Sequence, residues 1–338
     1  MYKITLMPGD GIGPEITESV KTVIEAAGVP IRWEEYPVGE RALKEYGTPL
    51  PEPVISSIRE NKVALKGPVT TEVAKGFKSV NVSLRQIFDL YANIRPVVSL
   101  PGIKTLFRDI DIVIFRENTE GLYAGIEHVV NEDRVEAVKV MTRPACRRIV
   151  AKAFEYARQQ GRKKVTAVHK ANILKKSDGL FLEEARRIAE ENNDIQYEEM
   201  IVDNACMQLV IRPQSLDIIV TENLYGDIIS DLCAGLVGGL GMVPGINAGE
   251  NYMIFEAVHG SAPDIAGKNI ANPLALLLSA VEMLKYLGED GAASFILGAI
   301  YELLREGSHL TPDLGGNSTT TEMTRRLCQL VTADRTKR

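Results

Sequence analysis

The chain has 338 residues, 45% hydrophobic and 25% charged, with a net charge of −6 and a sequence pI of about 5.5. That is globular chemistry, long enough for two packed cores, and an acidic balance argues against nucleic acid as a partner. The first residues read as a strand rather than a leader. The most apolar run, Pro273 to Leu284, is short and carries Glu282, and Cys146, Cys206, Cys233 and Cys328 form no CxxC pair. A soluble, cytoplasmic protein with reduced thiols and no membrane span is therefore expected.

Strand-like and helix-like patterns alternate, which predicts an α/β protein. Lys3 to Leu6 reads as a strand, followed by a helix with Ile16, Val20, Val23, Ile24 and Ala27 on one face, stopped by Gly28. Asp111 to Phe115 is an apolar strand ending in Arg116-Glu117-Asn118. Pro144 opens a helix closed by Gly161. Val165 to Val168 and Asp217 to Val220 are further strands, the latter followed by a helix from about Tyr225. Thr319 and Glu322 have capping-box spacing for a last helix. Polar residues cluster just beyond the strands, where open α/β sheets bind ligands. With no linker or repeat visible, a second domain requires the chain to leave one sheet and return. The exits are placed near Val97 and Gly241, giving one domain from 1–97 with 241–338 and another from 98–240.

Gly9-Asp10-Gly11-Ile12-Gly13-Pro14 follows a strand and precedes a helix, but its third glycine comes one residue too early for the dinucleotide fingerprint. Tight turns needing positive φ explain it. Gly238-Gly239-Leu240-Gly241 also lacks the spacing. A nucleotide cofactor must be held by something other than a Rossmann crossover.

Asp227 and Asp231 stand four apart on an apolar helix, so their like charges share a face. Either a hard cation such as Mg²⁺ relieves the repulsion, with Asp203 as a third ligand, or Asp227 caps the helix and Asp231 is solvated. Arg85, Arg95 and Arg116 lie among apolar and small polar residues, and their forks match carboxylates. Each alone reads as a surface ion pair, whereas together with the aspartates they suit a polyanionic acid. Tyr123 and Lys170 are candidate proton movers, and Lys170 follows an apolar strand.

Five motifs carry a resemblance over essentially the whole chain. They are Gly9 to Glu15, Arg116-Glu117-Asn118-Thr119-Glu120-Gly121, Asn223 to Asp231, His259 to Gly267, and Asp313-Leu314-Gly315-Gly316-Asn317. Together, in this order, they resemble the isocitrate/3-isopropylmalate dehydrogenase family. The resemblance implies a non-Rossmann two-domain α/β sandwich flanking a cleft, dimers or higher homo-oligomers with shared active sites, and metal-dependent β-decarboxylating oxidation with NAD. Ser79 and Asn81, after the Lys66-Gly67-Pro68 segment, are similar to those of the isocitrate-oxidising members, where a hydroxyl and an amide meet the third carboxylate of a tricarboxylic acid. Isopropylmalate members place an apolar side chain there. Homoisocitrate members share the look of Asp203 to Leu209 but usually add an arginine near Ser79, absent here. Two further readings are tartrate oxidation and a non-catalytic, regulatory chain, the second disfavoured by a complete residue set.

By the same resemblance, Ser79, Asn81, Arg85, Arg95 and Arg116 hold the substrate carboxylates. Asp203, Asp227 and Asp231 hold Mg²⁺ or Mn²⁺, with Lys170 and Asp203 reaching in from a neighbouring subunit. Lys170 helps remove the hydroxyl proton and Tyr123 protonates C3. Thr70 and Thr71 lie near the nicotinamide. Glu256, His259, Gly260, Ser261, Ala262, Asn272 and Asp313 surround the cofactor. Asp264 and Ile265 stand where NADP-using relatives carry lysine and tyrosine, and Pro312 where they often carry another tyrosine. A carboxylate there accepts from ribose hydroxyls and repels a 2′-phosphate, which implies NAD.

Overall fold

A computed structural model describes residues 1–70 and 79–336. Among them the strands are β1 (Tyr2–Met7), β2 (Ile31–Glu35), β3 (Val63–Lys66), β4 (Ala92–Val98), β5 (Asp111–Glu117), β6 (Gly121–Asn131), β7 (Arg134–Val140), β8 (Lys164–His169), β9 (Gln196–Ile201), β10 (Ile218–Thr221), β11 (Pro244–Ala248) and β12 (Met253–Ala257). Ten form one sheet in the order β2-β1-β3-β12-β11-β4-β5-β10-β8-β9, while β6 and β7 pair only with each other. Pairing is parallel from β2 to β12 and again from β5 to β9, and antiparallel across β12-β11-β4-β5. The two parallel halves thus run in opposite senses, joined by a central antiparallel seam. This is the expected non-Rossmann α/β architecture.

Local signals place the helices. The first runs Gly13–Ala26, with Pro14 fixing φ in its first turn, and Gly28 beyond its end at φ +83°. The helix expected from Pro144 is Arg143–Gln159, where the Thr142 hydroxyl accepts from the Ala145 N–H. The last, Thr320–Thr336, follows the expected reciprocal box: the Thr319 N–H donates to Glu322 (2.8 Å) and the Glu322 N–H to Thr319 (3.2 Å). The apolar run from Pro273 forms the helix Leu274–Tyr286, buried nearly all round. Among the described residues no helix is long and apolar enough to cross a membrane, and all four cysteines are free thiols.

Strand alternation sorts the side chains onto two faces. One face is apolar along its whole width, from Ile4 and Leu65 through Phe255, Ile246 and Ile94 to Phe115, Val220 and Val165. The other carries two separate apolar clusters. One holds Met7, Ala64 and Ile254, the other Val97, Ile112, Ile114 and Ile219. Between them, on the same face, lie the buried polar side chains of Lys66, Glu256, Asn247, Asn93, Arg95 and Arg116. Three of the expected site residues, Arg95, Arg116 and Glu256, lie along this polar stripe.

The first glycine motif does more than turn. Gly11 has φ +57°, and a Cβ there would lie 1.9 Å from the Ser261 carbonyl oxygen; at Gly9 it would lie 2.0 Å from that of Pro68. The Ile12 N–H donates to Ser261 (2.9 Å) and the Asp10 N–H to Pro68 (2.8 Å). Three connections from distant parts of the chain therefore meet backbone to backbone, a contact that turn chemistry alone does not foretell. Gly47 has φ +72°, but a Cβ added there would meet nothing within 4 Å. Gly11→Ala should therefore destabilise by about 2 kcal/mol more than Gly47→Ala, which bears backbone strain alone. Equal urea-unfolding midpoint shifts for the two variants would remove the close-approach explanation.

Candidate functional site

Arg95, on β4, is 6% exposed. Its Nε donates to Asn93 Oδ1 (2.9 Å), and one terminal nitrogen donates to Ser230 Oγ (2.7 Å) and Asp231 Oδ1 (3.1 Å). Arg116, near the end of β5, is 2% exposed. It donates twice to Asn223 Oδ1 (2.9 and 2.8 Å) and once to Asp227, and lies 5.1 Å from the Tyr123 ring centroid. Gly226 makes room for it, since a Cβ there would meet Arg116 Cγ at 2.5 Å. Arg85, in the helix Val80–Ile87, completes the cationic group. Burial pushes its guanidinium down to about 10, opposed by Glu256 and reinforced by Arg116 and Arg95.

Asp227 and Asp231 both lie on the helix Asn223–Leu236. The cap of that helix is Glu222, whose carboxylate accepts from the Leu224 and Tyr225 N–H groups (both 3.1 Å). Asp227 is therefore not the cap, which removes one of the two readings its spacing allowed. Burial acts to raise the Asp227 carboxyl, but Arg116, the Tyr123 hydrogen bond and Arg95 outweigh it and hold it below the usual range. Tyr123, on β6, donates to Asp227; burial and that bond raise its phenol, so it keeps its proton at neutral pH. The Asp227 and Asp231 side chains are 37% and 56% exposed. Two hard oxygen donors one turn apart, partly open to solvent, fit a divalent cation.

Lys170 follows β8, with its N–H held by Asp178 (2.7 Å). Its ammonium pairs with Asp203, in the first turn of the helix Val202–Ile211, and holds that carboxyl down. Within one chain, then, Lys170 and Asp203 partner each other rather than the Asp227 pair. Among the described residues no three acidic, histidine or cysteine side chains gather closely enough to hold a metal.

The expected cofactor residues fall around the meeting point of the connections. Thr70 donates its N–H to Asp10 (2.9 Å) and its hydroxyl lies 2.8 Å from that of Ser261. Thr71 lies outside the described residues. Ala262 has φ +41°, and Gly260 and Asp264 are exposed with Ile265 half-buried beside them. His259 Nε2 is buried without a partner among the described residues. Asn272 donates to Asp313 (2.9 Å). Glu256 is different: it is buried in an ion pair with Lys66 (2.8 Å), which with Arg85 holds its carboxyl down to about 2 against the effect of burial. Ser79 precedes the helix Val80–Ile87 as its cap residue. In that helix Asn81 has a buried Oδ1 without a partner among the described residues, and turning the amide would offer its NH₂ instead.

Sequence reasoning missed Lys66, Asn93, Asn247, Ser230 and Asn223. Their signal was available in part. Asn93-Ile94-Arg95 and Ile246-Asn247-Ala248 alternate polar and apolar, the pattern of a strand with one polar face. Arg95 thus lies on the face of a central strand rather than beyond a strand end.

The sequence profile described as isocitrate/isopropylmalate dehydrogenase matches residues 3–327. The chain is 54% identical over 325 residues to the isocitrate dehydrogenase [NAD] catalytic subunit 5, mitochondrial, of Arabidopsis thaliana, covering 96% of this chain and 87% of that one. It is 51% identical over 333 residues to a regulatory chain of the mitochondrial isocitrate dehydrogenase [NAD] of Dictyostelium discoideum, covering 98% and 92%. The crystal structure of isocitrate dehydrogenase from Methylococcus capsulatus superposes with a TM-score of 0.94 at 50% identity, covering 98% of this chain and all of that one. The mitochondrial names of the curated relatives overturn the expected cytoplasmic location. Composition and the lack of an apolar span are shared by proteins of both compartments, so they could not separate them. By profile, identity and fold, the chain belongs to the isocitrate/isopropylmalate dehydrogenase family.

Proposed function

We propose that this protein oxidises isocitrate at C2 with NAD and releases CO₂ from C3, giving 2-oxoglutarate. The observation that carries the reading is the stripe itself: buried Arg95 and Arg116 beside the partly open Asp227 and Asp231 carboxylates, with Tyr123 on Asp227. Relatives at about half identity are named as NAD isocitrate dehydrogenase subunits. Cations paired with two partly open carboxylates are the complement of an acid with several carboxylates and a divalent ion.

Arg85, Arg95 and Arg116 bind and orient the substrate carboxylates, with Ser79 and Asn81 at the third. Asp227 and Asp231 hold Mg²⁺ or Mn²⁺, with Asp203 of a second copy as the further ligand. The ion, when bound, would supply Lewis acidity at the C2 oxygen, and NAD would supply the hydride acceptor. Lys170 of that second copy, once its ammonium has passed a proton to solvent, takes up the proton of the C2 hydroxyl as the neutral amine. Tyr123, protonated at neutral pH, delivers a proton to C3 after CO₂ leaves. Exposed Met207, Val210 and Ile211 beside Asp203, and Ile228 beside Asp227, support a homodimer or higher homo-oligomer that brings these groups together. The reversal of strand direction between β4 and β5 supports a division into 1–97 with 241–338, which carries the cofactor loops, and 98–240, which carries the metal carboxylates. The presence of Tyr123, Lys170 and all three aspartates favours a catalytic over a regulatory chain.

Three outcomes follow. In initial-rate assays with isocitrate, homoisocitrate, 3-isopropylmalate and tartrate, isocitrate should lead in kcat/KM by tenfold or more, about 1.4 kcal/mol; a better turnover of another acid defeats the assignment. Tyr123→Phe should lower 2-oxoglutarate formation by about a hundredfold while reduction of added oxalosuccinate by NADH persists. Unchanged turnover would take Tyr123 out of the proton path. NAD should exceed NADP in kcat/KM by at least about a hundredfold, or 2.7 kcal/mol, and Asp264→Lys with Ile265→Tyr should shrink that ratio. Equal use of both cofactors by the unmodified enzyme contradicts the reading of this loop.

A further inference from the structure

The polar stripe contains two buried side-chain amides that join groups assigned to the substrate and to the cofactor. Asn247, on β11, donates its NH₂ to Glu256 Oε1 (2.7 Å), and its Oδ1 accepts from Asn93 (2.9 Å) and Asn118 (3.1 Å). Asn93, opposite Asn247 in the β4–β11 register, has its Oδ1 on Arg95 Nε (2.9 Å). Both asparagines are buried, Asn93 at 0% and Asn247 at 3% exposure. The other oxygen of Glu256 meets Lys66, whose ammonium also donates to the Gly67 carbonyl (3.0 Å), one residue before Pro68 docks on Asp10.

The order of donors and acceptors along this line is forced. An ionised Glu256 only accepts, so Asn247 must turn its NH₂ toward it. Its Oδ1 then faces Asn93, which must donate. That leaves the Asn93 Oδ1 for Arg95, whose guanidinium only donates. Turning either amide would set donor against donor or acceptor against acceptor in a buried site where water cannot repair the mismatch. An ion pair at one end and a guanidinium at the other fix two neutral amides between them.

We propose that Asn93 and Asn247 are positioning residues that tie Arg95 to the Lys66–Glu256 pair, so that cofactor binding at the Gly67–Thr70 connection and substrate binding at Arg95 strengthen each other. The inference rests on the proposed isocitrate and NAD reading. Titration calorimetry tests it, with isocitrate and Mg²⁺ added to the intact enzyme in the presence and absence of NADH. NADH should tighten isocitrate binding by about fivefold or more. Asn247→Leu, close in volume but unable to hydrogen-bond, should bring that ratio near one in a folded enzyme whose melting temperature is lowered, because Glu256, Asn93 and Asn118 each lose a buried partner. Asn93→Ser, cut from the opposite strand, should do the same and decides the matter if the first variant does not fold. A ratio near one in the unmodified enzyme, or an unchanged ratio in either folded variant, overturns the relay. Loss of folding in both variants assigns the amides to stability alone and also overturns it. Failure of isocitrate to bind the unmodified enzyme is a separate result, which removes the functional reading itself.

Discussion

Arg95 and Arg116 are almost wholly withdrawn from water, and a guanidinium so placed needs an acceptor for each donor it turns inward. The strand that carries Arg95 and one helix supply them: Asn93 from β4, Asn223, Asp227, Ser230 and Asp231 from the helix Asn223–Leu236. Those acceptors only partly exhaust the two forks, and the carboxylates they engage stay open to solvent on their other side. The stripe is thus self-consistent as an isolated chain yet retains charge with which to meet a multiply charged anion. Much else follows from that demand, including the missing Cβ at Gly226 and the gap between the two apolar clusters on this face.

The meeting of Gly9 to Gly13 with Pro68 and Ser261 sets a second constraint. Loops that approach at backbone distance cannot move independently, so the proposed cofactor side of the cleft is positioned as one unit. Asp10 strengthens it by accepting from the Thr70 and Glu40 N–H groups (both 2.9 Å) while its own N–H reaches Pro68. Burial raises the Asp10 carboxyl and the N–H groups oppose that rise, so the group works as an acceptor in a place that disfavours its charge.

Much of this was legible in the sequence. The first helix, the capping box and the strand ending at Arg116 follow from periodicity and local capping chemistry, and of the stripe the sequence pointed to Arg95, Arg116 and Glu256 but not to Lys66, Asn93 or Asn247. The antiparallel seam was not legible, because the β4–β11 pairing within it and the β12–β3 pairing at its edge join segments remote in the sequence, which no local pattern announces. Asn93 and Asn247 look ordinary until the β4–β11 register sets them opposite one another. The separation of Lys170 and Asp203 from Asp227 within one chain was anticipated only through resemblance; no spacing rule distinguishes a ligand of the same chain from one of its neighbour.

Alternation along β4 and β11 has a consequence for how this enzyme can vary over evolutionary time. Deleting one residue between Ala92 and Val98 would send Asn93 and Arg95 toward the apolar face and Ile94 toward the pocket, reversing every contact of the stripe in one step. Point substitutions in these strands can be explored gradually, whereas insertions and deletions cannot. Length variation among descendants is therefore confined to the connections, such as residues 99–110 and the β6–β7 turn, and the pocket is inherited as a register as much as a set of residues.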